Sequence, residues 1–170
     1  MHNIKSKLEN KVPPPIIMLI FAALMWGVAQ VTHSIKITSS TASTIAADSS
    51  LSFVQLLAIP LLLALGVFCA IAGVISFNRA ETTVHPLKPE TASSLVTSGI
   101  YRFSRNPMYL GMALVLCAWA CYLTSIWSVA GIVGFLLYMY RFQIRPEERA
   151  LEAIFGQTFI DYKKRVRPWI

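Results

Sequence analysis

Residues 107–142 read PMYLGMALVLCAWACYLTSIWSVAGIVGFLLYMYRF, with no charged side chain before Arg141. The polar pair Thr124-Ser125 divides this run into apolar segments at 108–123 and 126–142. At about 1.5 Å of rise per residue, each segment spans roughly 25 Å as a helix. That falls short of a hydrocarbon core of about 30 Å. So short a connection predicts a tight helical hairpin whose tip lies just inside the far interface of a membrane.

Working outward, two more apolar segments precede the hairpin. One covers 14–32 and is opened by Pro13, Pro14 and Pro15, residues tolerated in a first helical turn. The other covers 51–77 and contains Pro60, which predicts a kink unless a neighbour takes up the freed carbonyl. Across all 170 residues, 55% are hydrophobic and only 14% are charged. Soluble domains carry about 25% charged residues, so a soluble globular protein and a disordered one are both excluded. The predicted fold is all-α: a polytopic integral membrane protein of four transmembrane helices in a single domain, 1–170. The three cysteines sit in apolar runs and the three histidines are scattered, so neither a disulfide framework nor a metal site is expected.

Basic residues set the orientation. Four spans place both termini on one side, and that side receives 14 of the 15 lysines and arginines, Lys36 alone lying opposite. The positive-inside bias puts both termini in the cytoplasm. The first span also has the basic start and apolar core of a signal peptide, but no small-x-small site follows directly, so it is read as a retained helix. The segment 33–50 reads as a polar connection rich in Ser, Thr and Ala. The basic run Lys163-Lys164-Arg165-Val166-Arg167 suits anionic lipid head groups, not nucleic acid.

The hairpin brings the borders of two cytoplasmic segments together, 78–107 and 141–170. In the first, Gly99 permits a turn, Asn106 before Pro107 disfavours helix, and Pro107 can start one. A helix beginning at Pro107 turns free N–H groups and a positive dipole end to the cytoplasmic interface, where a carboxylate or phosphate can sit. Gly111 lets another backbone or a flat ligand come close. The same stretch also reads as a membrane-entry loop with Arg anchors and a Tyr101–Tyr109 aromatic belt. In the second segment, Pro146-Glu147-Glu148 opens a helix and Lys163, Lys164 and Arg165 close it, with Leu151, Ile154, Phe155, Phe159 and Tyr162 at amphipathic spacing. Helix-end charge explains the two glutamates; so does a site for a cationic ligand.

Taken jointly, Leu95-Val96-Thr97-Ser98-Gly99-Ile100-Tyr101-Arg102, Arg105-Asn106-Pro107-Met108-Tyr109-Leu110-Gly111, Glu147-Glu148, Phe155-Gly156 and the Arg165-Val166-Arg167 ending resemble bacterial members of the isoprenylcysteine carboxyl methyltransferase and phospholipid methyltransferase superfamily. The resemblance covers the chain well from about Thr82 onward. It implies an integral-membrane methyltransferase, in a bacterial inner membrane, that uses S-adenosylmethionine and takes a lipophilic substrate from the bilayer. It further implies that Tyr101, Arg105, Asn106, Pro107, Tyr109, Gly111, Glu147 and Glu148 hold the cofactor. Eukaryotic relatives usually carry His where this chain has Asn106, and Asn cannot take a proton near neutral pH.

The acceptor stays open between an isoprenylcysteine-like carboxylate, a phospholipid amine and a small thiol, with a non-enzymatic membrane scaffold as the alternative of another class. A carboxylate acceptor needs a cationic partner, for which Arg79, Arg102 and Arg141 are the candidates. An amine or thiol needs a base or water to take its proton, and no histidine obviously serves. The expectation is catalysis by proximity more than by acid–base chemistry.

Overall fold

A computed structural model describes residues 12–39, 51–80 and 94–170, with side chains in the first helix described to Ser34. Every regular element among them is helical. The helices are α1 (Pro14–Ser39), α2 (Phe53–Arg79), α3 (Pro107–Leu123), α4 (Ser128–Met139), α5 (Arg145–Phe155) and α6 (Gln157–Arg165). A 3-10 turn, Gly99–Arg102, precedes α3, and a π turn, Tyr140–Ile144, joins α4 to α5. Lys5, Lys7, Lys11, His85 and Lys88 lie outside the described residues.

The stretches 14–34 of α1 and 53–79 of α2 are long and apolar enough to cross a membrane. Both are apolar all round, which suits a surrounding of lipid. Leu19, Leu57 and Phe68 are among the large apolar side chains turned outward. The third helix is apolar too but shorter, 17 residues. The first helix runs on to Ser39, so the polar connection expected from residue 33 begins later. Pro60 sits inside an unbroken α2.

The third helix is the centre of the bundle. It packs most extensively on α2, and also on α1 and α4, while α1 packs on α4. Close approach of α2 and α3 depends on glycine. A Cβ on Gly111 would lie 2.5 Å from the Gly66 carbonyl oxygen and 3.2 Å from the Ala70 nitrogen. On the other side of α3, Tyr109, Leu116, Phe135, Met139 and Ile144 join Ile17 and Met25 in one buried cluster.

The hairpin tip is tied to both long helices. Ser52 and Gln55 form a capping box at the start of α2. The Gln55 side-chain amide also donates to the Cys121 carbonyl at 3.0 Å, covering one of the carbonyls that a helix end leaves open. The Trp119 indole donates to the Ala22 carbonyl at 3.1 Å. Thr124 closes α3 in the left-handed region, φ 51°, and α4 begins only at Ser128. The connection is therefore 124–127, two residues longer than the sequence suggested.

Two further expectations about the C-terminal half are corrected. Pro146 does not open a separate helix: α4, the π turn and α5 form one continuous rod. Proline has no N–H to give and its ring clashes with the carbonyl four residues back. The wider turn takes up that misfit, with the Arg145 N–H reaching five residues back to Tyr140. Nor is the amphipathic C-terminal segment one helix. Gly156, at φ 51° and ψ −126°, separates α5 from α6 in a conformation that glycine tolerates and other residues avoid.

Candidate active site

The site is assembled at the end of the bundle where α3 begins. Gly99, at φ 61°, packs so closely on α2 that a Cβ would lie 2.8 Å from the Ser76 hydroxyl. The turn it starts points Tyr101 inward, 5% exposed, with its ring edge-on to Phe77 at 5.4 Å between centroids. The Tyr101 carbonyl accepts the Tyr162 hydroxyl of α6 at 2.7 Å. Enclosure pushes both phenols above their usual range, so neither ionises near neutral pH.

The loop 104–106 is clamped by the C-terminal tail. The Arg105 N–H donates to the Arg167 carbonyl at 3.0 Å. The Asn106 side-chain amide donates to the Pro168 carbonyl at 2.9 Å, and the buried Ser104 hydroxyl donates to the same carbonyl at 3.4 Å. Ser104 Oγ also accepts the Asn106 N–H at 3.1 Å. Phe159, Tyr162 and Val166 form a small buried cluster with Leu95, Leu151 and Phe155 beneath this clamp.

Adjacent residues on a helix point about 100° apart, so Glu147 and Glu148 reach different partners. Glu148 Oε1 lies 2.7 Å from Arg105 Nη1, and Oε2 lies 3.9 Å from Lys163 Nζ. The Arg105 and Glu148 side chains are only 10% and 17% exposed. Glu147 accepts a short hydrogen bond from the Tyr109 hydroxyl, on the first turn of α3. Enclosure pushes its carboxyl up to about 8; the Tyr109 hydrogen bond pulls the other way and the Glu148 charge adds to the rise. No described cation stands among those influences.

The sequence-selected residues thus divide. Tyr101, Arg105, Tyr109, Glu147 and Glu148 converge, with Pro107 buried at the start of α3. Asn106 is committed to the tail rather than open to a ligand. Gly111 admits the α2 backbone rather than a flat ligand. Arg79 and Arg102 are exposed, and the Arg141 guanidinium lies 5.7 Å from the Phe142 ring centroid. Ser104 and the buried Gln143, whose amide holds the Val12 carbonyl at 2.9 Å, have no role in the sequence reading, and Lys163, read there as a helix-closing charge, reaches Glu148. Gln143 did carry a signal: it is an uncharged polar residue directly after an apolar run.

The Arg105 Nε is buried and makes no hydrogen bond among the described residues. Such a donor is costly to leave unmet, and it suits a carboxylate or hydroxyl of a bound ligand. The half-buried Glu147 carboxyl, with no cation among the described residues that act on it, suits the cationic part of a ligand. S-adenosylmethionine has both kinds of group, so the residues present fit it.

The family model described as phospholipid methyltransferase matches residues 53–158. An uncharacterised protein of Haemophilus influenzae is 40% identical over 63 residues, which are 37% of this chain and the whole of that protein. Protein-S-isoprenylcysteine O-methyltransferases of Xenopus laevis and Rattus norvegicus are 33% and 32% identical over 94 and 104 residues. Those matches cover 48% and 55% of this chain, but only 29% and 34% of the frog and rat proteins. This chain therefore spans about a third of the length of those relatives. No solved structure matches it.

Proposed function

Because the chain belongs to the phospholipid methyltransferase family, we propose that it is an integral-membrane methyltransferase that uses S-adenosylmethionine and acts on a lipophilic acceptor. The observation that carries this reading is the carboxylate pair and the buried Arg105 gathered at one end of an otherwise apolar bundle. When bound, the cofactor supplies an electrophilic methyl group. Arg105 Nε and the first turn of α3 meet its carboxylate or hydroxyl groups. Glu147 faces a cationic group entering the site. Arg105 is itself held by Glu148, and the loop carrying it by the tail carbonyls, so binding does not require this part of the site to be ordered anew.

In this reading all four apolar helices cross the membrane, the α3–α4 hairpin as a short pair, with both termini on the cytoplasmic side. An apolar cleft of about 420 Å³ lies over α3 between α1 and α2, lined by Met18, Ala22, Ile59, Leu63 and Trp119 among others. It suits the chain of an acceptor arriving from the bilayer. The lining residues of α3 begin at Val115, about 9 Å along the helix from Tyr109.

The test is calorimetric titration of the detergent-purified protein with S-adenosylmethionine, wild type beside Arg105→Lys. Lysine keeps the charge opposite Glu148 but loses the planar fork and Nε. Saturable binding that weakens about tenfold in the variant, the size of one charged hydrogen bond, is the expected result. A folded wild-type protein that binds none would overturn the reading and favour a membrane scaffold.

A further inference from the structure

We propose that the outward stripe of the α4–α5 rod binds one anionic phospholipid, its acyl chain along Val129, Val133 and Leu137 and its phosphate between Arg141 and Arg145. This rests on the reading above that α4 crosses the membrane, and not on methyl transfer. Residues four apart lie on one side of a helix. From Val129 that spacing gives Val133, Leu137, Arg141, Arg145 and Arg149. Val129, Val133 and Leu137 are 50%, 48% and 64% exposed, and Arg145 and Arg149 are exposed as well. The stripe two residues away is the reverse: Phe135, Met139 and Gln143 are fully buried. One side of the rod is thus outward along its length, and it turns from apolar to cationic between Leu137 and Arg141.

The π turn keeps this stripe straight. In an α-helix each step of four residues drifts about 40° round the axis. Repeated from Leu137 to Arg149, that drift would carry the arginines away from the apolar track. The wider turn at Tyr140–Ile144 rotates less per residue and offsets it. The Arg145 guanidinium is also turned back toward the bilayer end of the rod, 5.2 Å from the centroid of the exposed Tyr140 ring. A tyrosine at that point suits the depth of the lipid head groups. Stacking occupies the face of the guanidinium and leaves its N–H donors in the plane, where they can fork onto a phosphate. The rod carries no acidic residue before Glu147. Glu147 is turned to Tyr109, and Glu148 and Glu152 are met by Arg105 and Lys163. A ligand that uses both halves of the stripe carries an anion and a long apolar chain in one molecule; a free phosphate leaves the apolar half unused. The basic run of α6 offers less, since Lys163 and Lys164 are paired with Glu152 and Asp161.

The experiment titrates the detergent-purified full-length protein with dioleoylphosphatidylglycerol or dioleoylphosphatidylcholine and counts bound lipids by native mass spectrometry. One phosphatidylglycerol held about tenfold or more tightly than phosphatidylcholine is expected, the share of two basic residues at an anionic surface. Arg145→Gln should weaken it about fivefold. Arg145→Lys should weaken it nearly as much, because lysine keeps the charge but loses the fork and the stack on Tyr140. Lys164→Gln, on α6, should leave it unchanged. Equal losses from Lys164→Gln and Arg145→Gln, with Arg145→Lys like the wild type, would overturn the inference in favour of a diffuse attraction between basic protein and acidic lipid. Glycerol phosphate binding as tightly as the intact lipid would overturn it too, since the apolar track would then contribute nothing.

The same two lipids carrying a photoreactive group in an acyl chain locate the site in bilayer nanodiscs. Phosphatidylglycerol should label α4 at Val133 or Leu137, and should do so less in Arg145→Gln. Equal labelling of α4 by both lipids would overturn the inference and leave α4 in the bilayer. Labelling of α1 and α2 alone, by either lipid, would overturn the crossing of α4 and the inference with it.

Discussion

Glu147 and Glu148 are neighbours in the chain with opposite surroundings, and each gives a measurable consequence. The Glu147 carboxyl is raised from an ordinary 4.5 to about 8 in the folded, ligand-free protein. Between those values the folded state keeps a proton that the unfolded state has lost. Stability therefore falls as pH rises through that window and levels off above about 8. Glu147→Gln should remove this contribution to the slope and raise the unfolding temperature relative to wild type above pH 8, as thermal unfolding in detergent at graded pH will show. Glu148 responds differently, because its charge is met. Arg105→Ala leaves a nearly covered carboxylate beside Lys163 alone. The expected cost is about 3 kcal/mol, the low end for breaking a buried pair, because both side chains still touch solvent. The doubly substituted Arg105→Met, Glu148→Met protein should recover much of that stability. The sequence showed two adjacent acids and several arginines. It could not show which acid would meet which cation, because that depends on two elements far apart in the chain.

The helices were legible from composition and length, while their joints were less so. Pro107 starts α3 as the Asn-Pro step predicted. Pro146 offers the same local signal, yet a helix already running absorbs it in a π turn. Local rules fix what proline disfavours, and packing chooses between a break and a wider turn. Gly156 stood in plain view, but its φ of 51° is a property of how α6 folds back, not of its neighbours in sequence. Gly111 shows the reverse: its need for space was foreseen, and the structure supplies the occupant, α2. Gly111→Ala would drive a Cβ to 2.5 Å from the Gly66 carbonyl oxygen, backbone against backbone, so α2 and α3 must part. Overpacking of this kind costs about 1–3 kcal/mol or more. Gly27→Ala meets nothing within 4 Å and should gain up to about 1 kcal/mol from helix propensity. Unfolding temperatures of the two variants, measured side by side, test the crossing directly. If Gly111→Ala unfolds like the wild type, the helices are not that close.

At the scale of the molecule, the charge pattern speaks to orientation but says nothing of which helix is central. Two helices apolar all round have no face to read, so the position of α3 between α2 and the α1–α4 pair emerged only from packing. Orientation is the part that can be checked apart from packing. If four helices cross, Ser34 and the hairpin tip at Ser125 lie on the side away from Thr158 of α6. Single cysteines at those positions, in a chain whose Cys69, Cys117 and Cys121 have been replaced, give the test. A membrane-impermeant maleimide applied to intact cells should label Ser34→Cys, label Ser125→Cys more slowly because it is partly covered, and leave Thr158→Cys untouched until the cells are opened. Labelling of Ser125→Cys only after opening, like Thr158→Cys, would mean that the hairpin enters without crossing. Two membrane-crossing helices would then carry a re-entrant pair, and the Tyr109–Glu147 contact would still face the cytoplasm. Labelling of Thr158→Cys from outside would reverse the orientation, and with it the supply of a cytoplasmic cofactor to Arg105.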